Sequence, residues 1–250
     1  MRAVGLALAL ALLTAGCSPG QGAEDARVLN VLAASSLSEP FDELAGVFER
    51  QHPGVQVRLV LDSSAVLAAQ AVDGAPGDVL ATADRRTMRQ AVAGGATLDD
   101  PLSFTTNRIA LVVPAGNPAG VSSLADLDDP TVDYVTCVVS APCGHLARDV
   151  LAAASVDREP RSLEVDVKAV LQKVVLDEAD AGLVYASDAV AAGADVESAP
   201  VPGHVGGRTA YPVAPLAQTE DPCLARAWVG LLRSARGQQA LADAGFSPAP

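Results

Sequence analysis

Short runs rich in β-branched residues alternate with longer stretches of helical periodicity along most of this chain. This alternation is typical of α/β architecture, because a strand followed by a helix can be succeeded by a second, parallel strand. The predicted strands cover residues 27–33, 55–61, 78–81, 109–113, 132–139 and 181–184. The predicted helices cover residues 37–52, 64–72, 85–93, 144–154, 167–176, 223–234 and 237–244.

The amino-acid composition limits the fold and the kinds of molecule that this protein can bind. The chain has 250 residues, enough for one large domain or two modest ones, and 50% of them are apolar, which excludes general disorder. Aromatic residues make up only 3%, so the core is expected to be aliphatic. The net charge of -13 argues against nucleic acid as a partner, because binding phosphates requires clustered Lys and Arg.

The N-terminus has the layout of an export signal. Arg2 precedes an apolar run over residues 3–13, which is too short to span a membrane permanently, and Thr14-Ala15-Gly16-Cys17 follows. A cysteine directly after Ala-Gly resembles a bacterial lipobox, although Thr14 stands where Leu is usual. We expect residues 1–16 to be a lipoprotein signal peptide, Cys17 to carry the lipid anchor, and residues 17–27 to form a flexible tether. An ordinary secretory signal cut elsewhere is the alternative, and both place the mature chain outside the cytoplasm.

Three further cysteines remain, and an odd number permits only one internal bridge. Cys137 and Cys143 flank a short segment that can form a tight turn, and we expect them to form a disulfide in an oxidising compartment. A two-thiolate metal site is the alternative, but no second Cys pair or paired His accompanies it. Cys223 is expected to pack as a small buried hydrophobic residue.

The sequence after residue 16 contains none of the common catalytic motifs: G-x-S-x-G, H-E-x-x-H, a Walker loop, or a G-x-G-x-x-G that opens a helix. His52, His145 and His204 are scattered without metal-ligand spacing and are expected on the surface or in loops. We therefore expect a binding protein that is not an enzyme and needs no cofactor.

Several predicted helices begin with residues suited to anion binding. Ser36 with Glu39 forms a capping-box pattern, and Ser64, Cys143 and Val167 lie at the starts of three later helices. Helix N-termini carry partial positive charge and unpaired N–H donors, so several of them facing one cleft could bind a small tetrahedral oxyanion without Arg or Lys. A single serine cap is an ordinary structural feature.

Acidic residues near these segments are expected to be structural, because a carboxylate beside a dianion would repel it. Asp78 is one of them. Asp84 precedes Arg85 and Arg86 and has the position of a helix N-cap.

Four runs together resemble the periplasmic molybdate-binding proteins of bacterial ABC importers. They are residues 31–37 (VLAASSL), 63–67 (SSAVL), 76–84 (PGDVLATAD) and 181–189 (AGLVYASDA). Their order and spacing match that family, and residues 107–114, 211–214 and 237–246 fit as well, so the resemblance covers residues 28–247.

The resemblance implies a type II periplasmic-binding fold, an α/β fold of two lobes with mixed sheets. Two chain crossings, near Asn107 and near Tyr211, would form the hinge. Lobe 1 would comprise residues 28–106 and 212–250, and lobe 2 would comprise residues 107–211.

The resemblance also implies a ligand site built from uncharged donors. The family's two serines and tyrosine fall on Ser36, Ser64 and Tyr185, and its backbone donors fall on the amides of Cys143 and Val167. The family more often has Ala at the position of Cys143, which matters little if only the N–H is used. The Cys137–Cys143 pair resembles actinobacterial members, in which a bridge would stiffen the loop that presents this amide.

Two points about these residues stay open. Ser35 and Ser63 adjoin the chosen serines and could take their roles. A tyrosine at the end of an apolar strand is commonly a core residue, whereas the resemblance favours ligand contact for Tyr185.

The implied function is that of an extracytoplasmic solute-binding lipoprotein. It would be a monomer that captures molybdate, and also tungstate, for an ABC permease, with molybdenum bound only as the oxyanion. A receptor for sulfate or for ferric iron is the first alternative, but iron would require adjacent tyrosines with acids, and Tyr134, Tyr185 and Tyr211 are widely spaced. An extracytoplasmic enzyme that uses carboxylates as acid and base is the second.

Overall fold

The computed structural model describes residues 27–205 and 207–249. The predicted signal peptide, Cys17 and the tether up to residue 26 lie outside these described residues. Arg27, assigned from the sequence to the end of the tether, is already the first residue of a strand.

The described residues form ten strands and eight helices. The strands are β1 (Arg27–Ala34), β2 (Val55–Asp62), β3 (Val79–Ala81), β4 (Leu102–Pro114), β5 (Tyr134–Cys137), β6 (Ser162–Glu164), β7 (Ala181–Tyr185), β8 (Val196–Ala199), β9 (Arg208–Pro215) and β10 (Ser247–Pro248). The helices are α1 (Ser38–Gln51), α2 (Ser64–Val72), α3 (Arg85–Ala93), α4 (Pro142–Ala153), α5 (Val167–Val175), α6 (Ala186–Ala192), α7 (Pro222–Arg233) and α8 (Ala235–Asp243).

Every predicted helix and strand is present, although β4 begins at Leu102 and not at residue 109, and five elements were missed. These are the strands β6, β8, β9 and β10 and the helix α6. Most are short, and β9 contains Pro212 and Pro215, which disfavour a strand prediction because proline cannot donate to the ladder. The predicted strand over residues 132–139 is confined to Tyr134–Cys137.

The strands are ordered β2-β1-β3-β9-β4-β7-β5-β6, and β8 and β10 also pair with β4. β1 is parallel to β2 and β3, and β5 is parallel to β6 and β7, whereas all pairs that involve β4 or β9 are antiparallel. Two parallel groups are therefore joined through the antiparallel pair of β4 and β9. The predicted α/β class and the mixed strand pairing are confirmed.

β4 changes partner along its length. Its first part, Leu102–Arg108, pairs with β9, and Ile109–Val112 pairs with β7. The Ile109 amide donates to the carbonyl of Gly207, one residue before β9 begins. The chain thus passes between the two groups of strands at residues 108–109 and again at residues 207–208.

The core is mainly aliphatic, as predicted, with one aromatic group where α1 packs on α7. Phe41 and Phe48 of α1 each contact Trp228 edge-on, at ring-centroid distances of 5.5 and 5.4 Å. Such tilted contacts add about 0.5–1.5 kcal/mol each beyond the burial of apolar area. Over the described ranges, no helix has both the length and the apolarity needed to cross a membrane.

Cys223 is exposed, so the prediction of a buried residue is wrong. It lies in the first turn of α7, on the outer side of the helix. Leu224, Ala225 and Trp228 occupy the inner side and are buried.

Both acids predicted to be structural have structural partners. Asp78 is buried and accepts hydrogen bonds from the Asn30 amide at 2.7 Å and the Thr219 hydroxyl at 2.6 Å. Asp84 caps α3, accepting from the Thr87 amide at 2.6 Å.

Candidate functional site

Six strands end around one small cavity. Parallel strands have their carboxyl ends at one edge of a sheet, and β1, β2 and β3 form one such set while β5, β6 and β7 form another. The cavity has a volume of about 10 Å³ and is lined by Ala34, Ser35, Ser36, Asp62, Ser63, Ser64, Ala83, Pro142, Cys143, Asp166, Val167 and Tyr185. Sites for drug-sized ligands usually measure about 300–1,000 Å³, so this cavity suits a smaller ligand.

All five residues predicted for the ligand site line this cavity. Ser36 and Ser64 come from the β1–β3 side, and Cys143, Val167 and Tyr185 come from the β5–β7 side. Ser35 and Ser63 line it as well, so proximity alone does not separate them from their neighbours.

Ser36 lies in a 3-10 turn, Ser35–Leu37, that precedes α1. The predicted capping box of Ser36 with Glu39 is wrong, because this turn delays the start of α1 to Ser38 and no side chain caps the helix. The Ser36 hydroxyl instead lies 2.8 Å from the Tyr211 hydroxyl. The Glu39 carboxylate accepts from Ser38 and from Lys168.

Ser64 is the first residue of α2. Its hydroxyl oxygen accepts a hydrogen bond from the Ala83 amide at 2.9 Å, and the residue is almost fully buried. The Ser64 hydroxyl donates to no acceptor among the described residues, so it can donate a hydrogen bond to a ligand.

The first turn of α4 lies beside the predicted disulfide, which is confirmed. Cys137 and Cys143 are bridged, with their Cα atoms 5.8 Å apart. Pro142 occupies the first helical position, so the Cys143 amide is one of the donors without an intrahelical acceptor. It donates to no acceptor among the described residues.

Gly144 permits this arrangement, since a Cβ atom there would lie 2.1 Å from the carbonyl oxygen of Val138. The bridge and this close approach together fix the turn before α4 against the helix.

The start of α5 presents a second free amide. Asp166 caps the helix, accepting from the Ala169 amide at 3.0 Å, while the Val167 amide has no acceptor among the described residues. The partial positive charge at the N-termini of α2, α4 and α5 therefore lies at the cavity.

Tyr185 is the last residue of β7, and its side chain is buried. Its ring packs edge-on against Tyr211 at 5.9 Å, and its hydroxyl has no hydrogen-bond partner in the part of the chain that the structure describes. Burial, and then the neighbouring Tyr211, raise the pKa of Tyr185 well above its usual value, so the hydroxyl keeps its proton and is a donor.

The described lining contains no Arg or Lys. Its two carboxylates, those of Asp62 and Asp166, accept from the backbone amides of Ser63 and Ala169. The cavity consequently offers neutral donors supplemented by helix dipoles.

Lys168 lies just outside the lining. Its ammonium group contacts Glu39 of α1 at 2.7 Å and Asp188 of α6 at 3.3 Å. Asp188 also accepts from the Tyr185 amide at 3.2 Å. Burial raises the pKa of Asp188 to about 6, against the opposing effect of Lys168.

The tyrosines are less separated than the sequence indicated. Tyr185 and Tyr211 lie far apart along the chain, but their rings are in contact. Within residues 27–205 and 207–249, however, no group of three His, Cys, Asp or Glu side chains has the placement of a metal site.

Sequence reasoning missed three buried polar residues behind the cavity, namely Asn107, Ser187 and Tyr211. The Asn107 side-chain amide donates to Ser187 at 2.8 Å and to the Tyr211 hydroxyl at 3.5 Å. Asn107 and Tyr211 were noted only as hinge positions. Asn107 lies between Thr106 and Arg108 and Ser187 lies in α6, so neither stands out as a polar residue in an apolar run.

Replacing both bridged cysteines in Cys137→Ala/Cys143→Ala is expected to lower the free energy of unfolding by about 2 kcal/mol, because the short loop gains entropy when unfolded. Urea unfolding followed by Trp228 fluorescence measures the change. Cys223→Ala is the matched control and should leave stability unchanged, since that thiol is free and exposed. Equal effects of the two substitutions would contradict a structural role for the bridge.

Asp188→Asn is expected to change how stability depends on pH. The folded-state pKa of Asp188, about 6, lies above its ordinary value of 3.8. The stability that this group contributes is therefore fully present below about pH 4 and is lost as the pH rises through about 6. The free energy of unfolding of the wild type relative to Asp188→Asn should fall between pH 4 and 7, and a constant difference would refute the assignment.

The sequence profile of the bacterial extracellular solute-binding protein family matches residues 29–247. The chain is 36% identical over 259 residues to the molybdate-binding protein ModA of Mycobacterium tuberculosis, covering 99% of each chain. It is 31% identical to ModA of Escherichia coli, covering 78% of this chain and 79% of that protein.

Solved structures show the same fold. The periplasmic molybdate-binding protein of Azotobacter vinelandii superimposes with a TM-score of 0.79 at 19% identity, covering 89% of this chain and 100% of that chain. The sulfate-binding protein SubI of M. tuberculosis gives a TM-score of 0.79 at 19% identity, covering 89% and 87%. These likenesses confirm the type II periplasmic-binding fold, and the chain belongs to the bacterial extracellular solute-binding proteins, in the family of the molybdate-binding protein ModA.

Proposed function

We propose that this protein captures molybdate outside the cytoplasm and delivers it to the permease of an ABC importer. The observation that carries the proposal is the convergence of uncharged donors on one small cavity. These donors are the hydroxyls of Ser36, Ser64 and Tyr185 and the free amides of Cys143 and Val167. The names of the relatives in M. tuberculosis and E. coli support the same ligand.

A tetrahedral dianion suits this set of groups. Its four oxygens accept hydrogen bonds only, and the cavity supplies donors from both sides together with three helix N-termini. Local dipoles at hydrogen-bond distance outweigh distant, screened carboxylates, so a net charge of -13 does not oppose the binding of an anion.

Selection would rest on size and on protonation. Tungstate has the shape and charge of molybdate and should bind as well. Sulfate is smaller and would not reach all the donors at once. An anion that carries a proton would have to place an O–H against another donor.

Two lobes closing on the ligand would account for the arrangement. We place the lobe boundaries where the pairing of β4 and β9 changes, at residues 108–109 and 207–208, close to the predicted positions 107 and 211. Contacts across the cavity then join the lobes: Arg86 donates to the Ser140 carbonyl at 2.9 Å, and Lys168 donates to Glu39 at 2.7 Å. A ligand bound from both sides would favour this closed arrangement.

The remaining parts of the proposal concern how the protein is attached and used. We propose that Cys17 is acylated and anchors a monomer to the membrane surface, with the segment up to residue 26 as the tether. We further propose that the protein has no enzymatic activity. The lipobox-like sequence supports the first, and the absence of catalytic motifs after residue 16 supports the second.

Single substitutions of the proposed ligand residues should weaken molybdate binding. Ser36→Ala, Ser64→Ala and Tyr185→Phe each remove one hydrogen bond to a charged ligand, and each should raise the Kd for molybdate about 10- to 100-fold. Isothermal titration calorimetry with molybdate, tungstate and sulfate measures this. Ser35→Ala and Ser63→Ala are the matched controls, because they line the same cavity, and their Kd should stay close to the wild-type value. Unchanged affinity in the first three variants, or an equal loss in the controls, would show that the ligand residues are wrongly assigned.

Molybdate should also make the protein more compact. Small-angle X-ray scattering of the wild type with and without molybdate should show a lower radius of gyration when the ligand is present. The Ser36→Ala/Tyr185→Phe double variant, which lacks one donor from each side, should show little change at the same molybdate concentration. A wild-type radius of gyration that is insensitive to saturating molybdate would contradict closure of two lobes.

A further inference from the structure

A network of buried, hydrogen-bonded polar side chains lies directly behind Ser36. The Ser36 and Tyr211 hydroxyls are 2.8 Å apart, and the Asn107 side chain reaches the Tyr211 hydroxyl on one side and Ser187 on the other. All four residues are at least 95% buried. Burying an unpaired polar group is energetically unfavourable, so each hydroxyl and amide proton of these four residues is expected to have a defined acceptor.

The orientation of Asn107 fixes the first step. Its carbonyl oxygen accepts from the Arg108 amide at 2.9 Å, so the other end of the side chain is the NH₂ group. That group can only donate, and it donates to the hydroxyl oxygens of Ser187 at 2.8 Å and of Tyr211 at 3.5 Å.

The Tyr211 hydroxyl oxygen therefore accepts a hydrogen bond from Asn107, and the hydroxyl still has its own proton to donate. The Ser36 oxygen at 2.8 Å is its partner, since the Tyr185 hydroxyl makes no hydrogen bond in the described structure. With the Ser36 oxygen accepting from Tyr211, the proton of Ser36 is available only to the cavity. The Ser64 oxygen likewise accepts a hydrogen bond from the Ala83 amide, and the Ser64 proton is also available to the cavity.

We propose that Tyr211, oriented by Asn107, is a positioning residue that directs the Ser36 proton into the cavity and so makes the site select fully deprotonated oxyanions over protonated ones. This inference rests on the proposed function. A protonated oxyanion must donate one hydrogen bond. With both serines committed as donors, the only side-chain acceptors left in the lining are the carboxylates of Asp62 and Asp166, which repel an anion.

Removing the tyrosine hydroxyl releases Ser36. In Tyr211→Phe the Ser36 oxygen is no longer occupied, so Ser36 can rotate to accept a hydrogen bond from a protonated ligand. Affinity for molybdate should fall about tenfold, as expected for a poorly oriented donor to a charged group. Affinity for phosphate, which keeps a proton at about pH 8, should fall less or rise.

The test measures the ratio of the Kd for phosphate to the Kd for molybdate at pH 8 by calorimetry and competition. The ratio should decrease at least about threefold in Tyr211→Phe, a change well within the range expected for one hydrogen bond. A general loosening of the fold would weaken both anions by the same factor and leave the ratio unchanged. That outcome would overturn the inference.

Two further variants sharpen the result. Tyr134→Phe is the matched control, because it removes another buried tyrosine hydroxyl, one that donates to the Arg158 carbonyl away from the cavity, and it should leave the ratio unchanged. In Ser36→Ala/Tyr211→Phe the molybdate Kd should equal that of Ser36→Ala alone, because Tyr211 acts only through Ser36. If the two substitutions weakened molybdate binding additively, Tyr211 would not act through Ser36.

Asn107→Ala keeps Tyr211 but removes the group that donates to its hydroxyl, so it tests the same assignment if Tyr211→Phe does not fold. The ratio of the phosphate Kd to the molybdate Kd should decrease in this variant too. A wild-type protein that binds no molybdate would overturn the proposed function together with this inference. A wild type that binds molybdate, with an unaltered ratio in both Tyr211→Phe and Asn107→Ala, would overturn this inference alone.

Discussion

The position of every group that lines the cavity depends on the parallel pairing of two sets of three strands. Because parallel strands end at a common edge, the segments that follow β1, β2 and β3 meet, and those that follow β5, β6 and β7 meet opposite them. Five of these six segments supply a serine hydroxyl, a free amide or the tyrosine hydroxyl, and none of the six places an Arg or Lys in the lining. The site is thus a consequence of strand direction, and residues from six separate parts of the chain form it without any local cluster in the sequence.

An acidic protein can bind an anion at such a site because the donors are fixed and uncharged. The Ser64 oxygen already accepts a hydrogen bond from within the protein, the Ser36 hydroxyl is paired with that of Tyr211, and burial keeps Tyr185 protonated. These groups are desolvated when the protein folds, so in the closed arrangement they need little reorientation around a ligand. Because the hydroxyl protons of Ser36 and Ser64 are directed into the cavity, the cavity is proposed to discriminate against protonated anions.

β4 and β9 link the two halves of this arrangement. β4 changes its pairing partner, and β9 begins, where the polypeptide passes between the two groups of strands. β4 carries Asn107 and β9 carries Tyr211, two of the hydrogen-bonded polar residues behind Ser36. The hydrogen bond from Asn107 to Ser187 extends that network to α6. The residues that form the predicted hinge are therefore also the ones that orient a proposed ligand donor.

The sequence by itself determined the α/β class, the family, most element positions, the N-cap at Asp84, and the bridge between Cys137 and Cys143. These features depend on local periodicity, short-range spacing or a set of motifs. Tertiary structure alone decided that Ser36 pairs with Tyr211 instead of capping α1, that Cys223 faces solvent, and that Tyr185 and Tyr211 are in contact. Those outcomes depend on which residues the strand pairing brings together, and contacts between residues far apart in the chain leave no periodic pattern in the sequence.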